Sequence, residues 1–482
     1  MQLKKLTLSD LRDELVGINS VVPLLDGTEQ RYIFLDNAAS TPTFRSVLKC
    51  VEEFMPWYSG VHRGTGYKSL VSTELYDHAH DIIGKFVGAD LSTNTVILIK
   101  NSTEAINKLA NRLELEKDNV VITTIMEHHS NDLPWRKYCK VIHIDVDDVG
   151  RLRLDDLRNA LKTHKEKVKL IAVTGASNIT GICNPVHEIA KWAHEAGTKI
   201  FVDAAQLAPH RAINILPDND PAHIDFLAFS AHKMYAPFGT GVLIGQRKFF
   251  EHGLPDAVGG GVVTAVSLDE VYWSTPPDKD EAGSPNVVGA IALAKSILML
   301  EEVGMNNISQ HETDLLEYAY EKLMKIPKVK LFGPLDDFKN KVGVITFNIE
   351  GMHNALVAAI FGAEGGIGLR NGCFCAHPYV KRMLGISSEE DRRLTAEMVA
   401  GNKQNIPGLV RASLGCYNNE EDLDLFIDML KSIAAGKFKG DYVMNPTTGT
   451  YYAKGYKPDL AKCFALDKSI LPRIERYPSE AS

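Results

Sequence analysis

Ile224-Asp225-Phe226-Leu227-Ala228-Phe229-Ser230-Ala231-His232-Lys233-Met234 is an apolar run that breaks off at a histidine and a lysine. Pro237-Phe238-Gly239-Thr240-Gly241 follows, and a second apolar run starts at Val242. A short apolar run bounded by turn residues reads as a buried strand. Lys233 then stands just past that strand, in a turn walled by apolar chain. Taken alone, a lysine there is most simply a solvated loop residue. In a dry pocket, however, desolvation lowers its pKa, and a neutral amine can attack a carbonyl.

The same pattern recurs on either side. Strands are expected over residues 33–35, 95–99, 119–124, 141–145, 170–173, 199–202 and 224–228, with helices over 43–58, 67–87, 154–161 and 185–195. Such alternation predicts an α/β chain with a mostly parallel sheet covered on both faces. Ligands of such sheets lie beyond the carboxyl ends of the strands. Thr103, His128, Asn178, Asp203 and Lys233 each come just after a strand. Asn101-Ser102-Thr103-Glu104 opens a helix whose backbone N–H groups and hydroxyls suit a phosphate, although a plain N-cap has the same look. Asp203 ends a buried strand and needs a partner, either a helix N-terminus or the protonated nitrogen of a pyridine cofactor. His128-His129 lacks a third ligand at zinc-like spacing, and one imidazole could instead stack on an aromatic cofactor. Gly60-Val61-His62-Arg63-Gly64 is a connector or a loop reaching an anion.

Past Gly259-Gly260-Gly261 the sheet pattern fades into helices over 287–303 and 308–324. A smaller α/β unit follows from about residue 328, with strands over 329–331, 343–349, 366–369 and 409–413 and helices over 353–361, 389–402 and 420–435. Residues 8–18 have helical spacing, with Ser9 as an N-cap. The expected division is an N-terminal helical segment (1–30) packing with the small domain, a large domain (31–300), a small C-terminal domain (301–436) and a tail (437–482). The tail holds five tyrosines and no clear period.

Composition fits this picture. The 482 residues are 45% hydrophobic and 24% charged, an ordinary globular mix. A net charge of -8 with no basic run argues against nucleic-acid binding. No stretch is long and apolar enough to span a bilayer, and the first residues lack the apolar core of a signal peptide. Seven scattered cysteines are no disulfide framework and fit a reducing cytoplasm.

A lysine after one strand, a carboxylate after its neighbour and a phosphate-type helix start meet the needs of pyridoxal phosphate together. Ser230-Ala231-His232-Lys233, Asp203-Ala204-Ala205-Gln206, Ser102-Thr103-Glu104-Ala105-Ile106-Asn107, Glu127-His128-His129 and Arg411-Ala412-Ser413-Leu414 resemble the aminotransferase class V family. The likeness runs from about residue 34 to 435. Its nearest form is the cysteine desulfurase and selenocysteine lyase branch with a short catalytic-cysteine loop. The resemblance implies the fold type I of PLP-dependent transferases: a large domain with a mostly parallel seven-stranded sheet, plus a smaller α/β domain. It implies pyridoxal 5'-phosphate bonded to Lys233, with Asp203 at the pyridinium nitrogen, Gln206 at the ring hydroxyl and His128 stacked on the ring. Thr103, with Glu104 beside it, Ser230 and His232 would hold the phosphate, with Ser284 reaching over from a partner subunit. Asn178 and Arg411 would hold the substrate carboxylate, Arg411 through its bidentate fork. Arg63 and Arg370 complete the expected substrate contacts.

Arg370-Asn371-Gly372-Cys373-Phe374-Cys375-Ala376-His377-Pro378 separates the branches of the family. Cys375 falls at the family's nucleophile, joining Lys233 and His128 as catalytic candidates; Arg370 and His377 are the neighbours that could lower its pKa. A buried packing thiol is the alternative. Short-loop desulfurases carry histidine where Cys373 stands, and the Cys-Phe-Cys form also resembles molybdenum-cofactor sulfurases. Which of the two thiols attacks is left open by the sequence. The expected reaction converts L-cysteine to L-alanine with sulfur left on an enzyme cysteine, in a cytoplasmic homodimer that serves a sulfur-acceptor protein, as in iron–sulfur cluster assembly. No metal site is expected. The alternatives are a selenocysteine lyase acting on L-selenocysteine, a class V enzyme without sulfur transfer (epimerase or kynureninase-like), and a non-enzymatic relay or metal-binding protein using Cys373 and Cys375.

Overall fold

The computed structural model describes residues 6–466. The signal-peptide reading, the start of the 1–30 segment and the end of the tail therefore fall outside the described residues.

The chain opens with a helix, Leu8–Asp13, shorter than its spacing suggested. Thr7, not Ser9, caps it, in a reciprocal box with Asp10. A hairpin of β1 (Val21–Pro23) and β2 (Glu29–Arg31) follows, then the short strand β3 (Ile33–Phe34). β4 (Asn94–Ile99), β5 (Val120–Thr124), β6 (Lys140–Ile144), β7 (Val168–Thr174), β8 (Lys199–Asp203), β9 (Phe226–Ser230) and β10 (Gly241–Gln246) form one seven-stranded sheet in the order β4-β10-β9-β8-β7-β5-β6. Only β10 runs antiparallel to its neighbours. Every residue of β5 and β9 is buried, as helices on both faces require. The carboxyl ends of β4, β5, β7, β8 and β9 share one edge.

Where the sequence pattern faded, β11 (Val263–Val266) and β12 (Val271–Trp273) form an exposed hairpin. The helices Val287–Val303 and Met305–Leu323 come next. β13 (Val329–Phe332), β14 (Val344–Ile349), β16 (Arg370–Gly372) and β17 (Leu409–Ser413) build a four-stranded antiparallel sheet in the order β13-β14-β17-β16, preceded at its last corner by β15 (Ile367–Gly368). Strand β16 and the helix His377–Leu384 were not foreseen. Arg-Asn-Gly has no strand propensity, and β16 exists because it pairs with β17. The tail adds a hairpin of β18 (Tyr442–Met444) and β19 (Tyr451–Ala453).

β3 pairs not with the large sheet but in parallel with β15, Ile33 opposite Ile367 and Phe34 opposite Gly368. Ile33 and Leu35 enter the second hydrophobic core with Leu316, Tyr320, Phe347, Phe361 and Phe426. Arg12 and Arg31 both reach the buried carboxylate of Asp422, each at 2.9 Å. Among the described residues no helix is long and apolar enough to cross a membrane.

Candidate active site

A cavity of about 340 Å³ opens at the carboxyl edge of the large sheet and is closed on its other side by residues of β16, β17 and the loop after β16. Eleven of the expected site residues line it: Thr103, His128, Asn178, Asp203, Gln206, Ser230, His232, Lys233, Arg370, Cys375 and Arg411. Three do not. Glu104 is exposed, and its carboxylate accepts from the Lys100 amide at 2.6 Å. Ser284 is exposed on the loop before Val287–Val303. Arg63 lines a separate surface depression with Gly60, Val61 and Tyr67.

β8 ends at Asp203 and β9 at Ser230, so a single turn brings Lys233 into the cavity beside Asp203. Burial lowers the Lys233 amine to about 8, and Asp203 opposes that shift. Burial raises the Asp203 carboxyl, which accepts the Ala205 amide at 3.0 Å. The helix Ser102–Arg112 starts at the same edge with Asn101 as N-cap. Gly241 allows this approach, since a Cβ there would stand 2.4 Å from Asn101 Cα. Ser102 and Ser230 share a hydroxyl contact of 2.9 Å, and Thr103 meets Ser130 at 2.7 Å. Burial, with Lys233 adding to it, holds the His128 and His232 rings down to about 4, so both are neutral at pH 7.

These residues fit pyridoxal phosphate on the structure's own terms. Gln206 is buried, spends its Nε2 on the Ala38 carbonyl at 2.7 Å, and leaves Oε1 without a hydrogen-bond partner, in a residue that lines the cavity. A ring hydroxyl would satisfy it. The helix start with its serine and threonine hydroxyls is an anion cradle, and a low-pKa lysine beside a buried carboxyl suits an aldehyde-bearing pyridine.

The opposite wall is the cysteine loop. Phe374 and Cys375 both have left-handed backbone, at φ 49° and 57°. Three hydrogen bonds hold them there: Asn178 Nδ2 to the Phe374 carbonyl at 2.8 Å, the His129 amide to the Cys375 carbonyl at 2.7 Å, and the Ala376 amide to the Cys373 carbonyl at 2.8 Å. The Asn178 amide thus pins the loop rather than reaching freely for a carboxylate. The two cysteines differ sharply. Cys375 is exposed and faces Lys233, Arg370 and Arg411, each close enough to feel its charge. Cys373 is buried, donates its thiol to the Pro407 carbonyl at 3.0 Å, and is pushed up to about 11 by that burial. Burial lowers His377, which packs edge-on against His129 at 4.7 Å and brings no positive charge to the thiol at pH 7.

Sequence reasoning missed two polar groups here. Ser130 bridges Thr103 and His128. Asp36 accepts from both Arg370 and Arg411. Its signal was present: it is the first carboxylate after the strand read at 33–35.

Away from this cavity, His194, His223 and Asp225 bring ligand atoms within 4.8 Å of one another. The two rings stack at 4.1 Å with only 17° between their planes, so one ion cannot lie in both planes, and Lys199 already neutralises Asp225 at 2.8 Å.

Known proteins resemble this chain in sequence and in fold. A probable cysteine desulfurase of Halalkalibacterium halodurans is 33% identical over 418 residues, covering 84% of this chain and 95% of its own. A cysteine desulfurase of Haloferax volcanii is 33% identical over 408 residues, covering 83% and 88%. The apo structure of the cysteine desulfurase from Thermococcus onnurineus superposes with a TM-score of 0.77 at 32% identity, covering 90% of this chain and 100% of that one. The architecture is the fold type I of pyridoxal-phosphate enzymes. With its family's sequence model matched over residues 33–426, this chain belongs to the aminotransferase class-V family.

Proposed function

We propose that this protein is a cysteine desulfurase that converts L-cysteine to L-alanine and keeps the sulfur on Cys375 as a persulfide. The observation that carries the reading is an exposed thiol, Cys375, opening into the same cavity as the low-pKa amine Lys233 and the buried guanidinium Arg411.

Pyridoxal phosphate, the cofactor of the family, supplies an electron sink for the pair left at Cα. The protein's part follows from its own groups. Thr103, Ser230 and His232 would hold the phosphate at the helix start, Asp203 would pair with the ring nitrogen, Gln206 would accept from the ring hydroxyl and His128 would lie against the ring. Arg411 binds the substrate carboxylate. Lys233 takes the Cα proton and returns one on the way to alanine. The Cys375 thiolate attacks the substrate sulfur: the Cβ–S bond breaks with its electrons going to carbon, and a new S–S bond forms on Cys375. Cysteine and a free thiol thus become alanine and a persulfide, with no outside oxidant.

The working form is a homodimer. The exposed aromatic and apolar side chains Trp57, Tyr58, Tyr67 and Leu70 surround the Arg63 loop, a patch that suits burial against a second copy and would bring Arg63 and Ser284 to the partner's cavity. The persulfide passes to an acceptor protein, for uses such as iron–sulfur cluster assembly. Seven free cysteines favour the cytoplasm. The domain limits 31–300 and 301–436 are part of this proposal, except that the strand at Ile33–Phe34 and Leu35 pack with the smaller unit.

Incubation of the purified holoprotein with L-cysteine tests it. Equal alanine and bound persulfide are expected, with Cys375→Ala keeping the cofactor's visible absorption but forming no persulfide. Full alanine turnover by Cys375→Ala would overturn the thiol assignment. Rapid turnover of L-selenocysteine with none of L-cysteine would favour the lyase instead.

A further inference from the structure

The hairpin of β18 and β19 is fastened at its base to the small domain. Glu364, on the helix Asn354–Gly365, accepts from the Lys439 amide at 2.9 Å, the Gly440 amide at 2.8 Å and the Tyr442 hydroxyl at 3.0 Å. β19 lies along that same helix, and its last residue, Ala453, is buried. At the tip, the Pro446 carbonyl accepts from the Lys403 amide at 3.1 Å. Gly449, at φ 73°, lets the turn close on this segment: a Cβ there would stand 2.7 Å from the Lys403 carbonyl oxygen.

Two routes lead from the hairpin to the cysteine loop. The first follows the chain from Lys403 to Pro407 and Gly408. The Pro407 carbonyl accepts the Cys373 thiol at 3.0 Å, and a Cβ on Gly408 would stand 2.6 Å from Gly372 Cα, so the two backbones touch. The second passes through rings. Tyr451 meets His353 at 5.6 Å between centroids, and His353 caps the helix Asn354–Gly365 by accepting the Ala355 amide at 3.2 Å. Its neighbour Asn354 accepts from Asn371 Nδ2 at 3.1 Å. Both routes end on residues 371–373, directly ahead of the left-handed pair Phe374 and Cys375. Such backbone persists where the surroundings over-determine it. Asn178 and His129 hold the pair from the large domain; the hairpin steadies what precedes it from the other side. We propose that the hairpin of β18 and β19 is a positioning element for the nucleophile, clamping both supports of β16 and so setting where Cys375 stands in the cavity. This rests on the desulfurase reading of that cavity and deepens it by naming what places the thiol. Gly449 and Tyr451 act through other residues and are positioning residues.

The test uses full-length holoprotein. It reads kcat and KM for alanine release from L-cysteine, cofactor content, and hydrogen exchange at the His129 and Ala376 amides, which bond the Cys375 and Cys373 carbonyls. Gly449→Val should push the turn off Lys403 and lower kcat about tenfold, part of what a misplacement of about 1 Å costs. Both amides should exchange about tenfold faster, with KM and cofactor content unchanged. Tyr451→Ala should lower kcat about threefold, the low end for one ring pair. Tyr451→Phe keeps the ring and should match the wild type. That pair decides the matter if Gly449→Val does not fold. A hairpin that only adds stability would lower the melting temperature and leave kcat and both amides alone. That result would overturn the proposal, as would a loss of cofactor equal to the fall in kcat. Exchange needs no turnover, so a wild type that makes no alanine while its variants' amides respond would count against the desulfurase reading and not against the hairpin.

Discussion

The cavity has two unlike walls. On the sheet side, Asp203, Gln206 and Ser230 are almost wholly buried at the ends of strands hydrogen-bonded on both edges. On the loop side, Cys375 is exposed on left-handed backbone that costs about 1 kcal/mol or more per residue and persists only because neighbours hold it. Two of those holders, Asn178 and His129, come from the large sheet's own edge. The contrast teaches a division of labour. The rigid wall carries the amine and the buried carboxyl, and the strained wall presents the exposed thiol.

The first way to break this contrast is Lys233→Ala. It should lower alanine formation by about 10⁴-fold or more, and the protein should lose its colour on gel filtration. Cys375→Ala attacks the other wall, with persulfide labelling falling to background while the visible spectrum stays. Asn178→Ala keeps the thiol but frees the loop, so persulfide formation should slow by about tenfold, the worth of one hydrogen bond of 1–2 kcal/mol, with cofactor retention unchanged. The pH profile sharpens the sheet side. Lys233 is an ammonium below about pH 8 and a free amine above it, so capture of added cofactor by apo-protein should quicken about tenfold per unit up to about 8 and then level off. An inflection near the ordinary lysine value would remove the dry-pocket account. The smallest change is Cys373→Ala, expected to cost about 1 kcal/mol of stability in a melting experiment and to leave persulfide formation intact. Loss of the persulfide in this variant would exchange the roles of the two thiols.

The sheet wall was legible because buried parallel strands leave continuous apolar runs, and three of them, β7, β8 and β9, end on a polar residue that lines the cavity: Thr174, Asp203 and Ser230. The lysine, the carboxyl and the helix start were readable one by one on that rule. The loop wall was less so. β16 has a sequence that no propensity would call a strand, and the helix at His377–Leu384 was obscured by the proline that in fact starts it. The separation of Cys373 from Cys375 depends on the Pro407 carbonyl, 34 residues away in sequence, and no local pattern carries that. Asp36 itself stood in view right after a strand, but its pairing was hidden for the same reason, since its two arginines arrive from the far end of the chain. The hairpin of β11 and β12 gave no alternation because it buries neither face.

The crossing of β3 to β15 constrains how this molecule may be cut. A piece expressed from residue 301 onward would begin without the strand that completes one edge of its own core, and with Asp422 deprived of Arg12 and Arg31. Stranding a buried carboxylate in that way costs about 3–5 kcal/mol, a large share of what holds any such unit together. The first three dozen residues would have to be supplied alongside, as a separate peptide or a graft, before the carboxyl-terminal third could stand by itself.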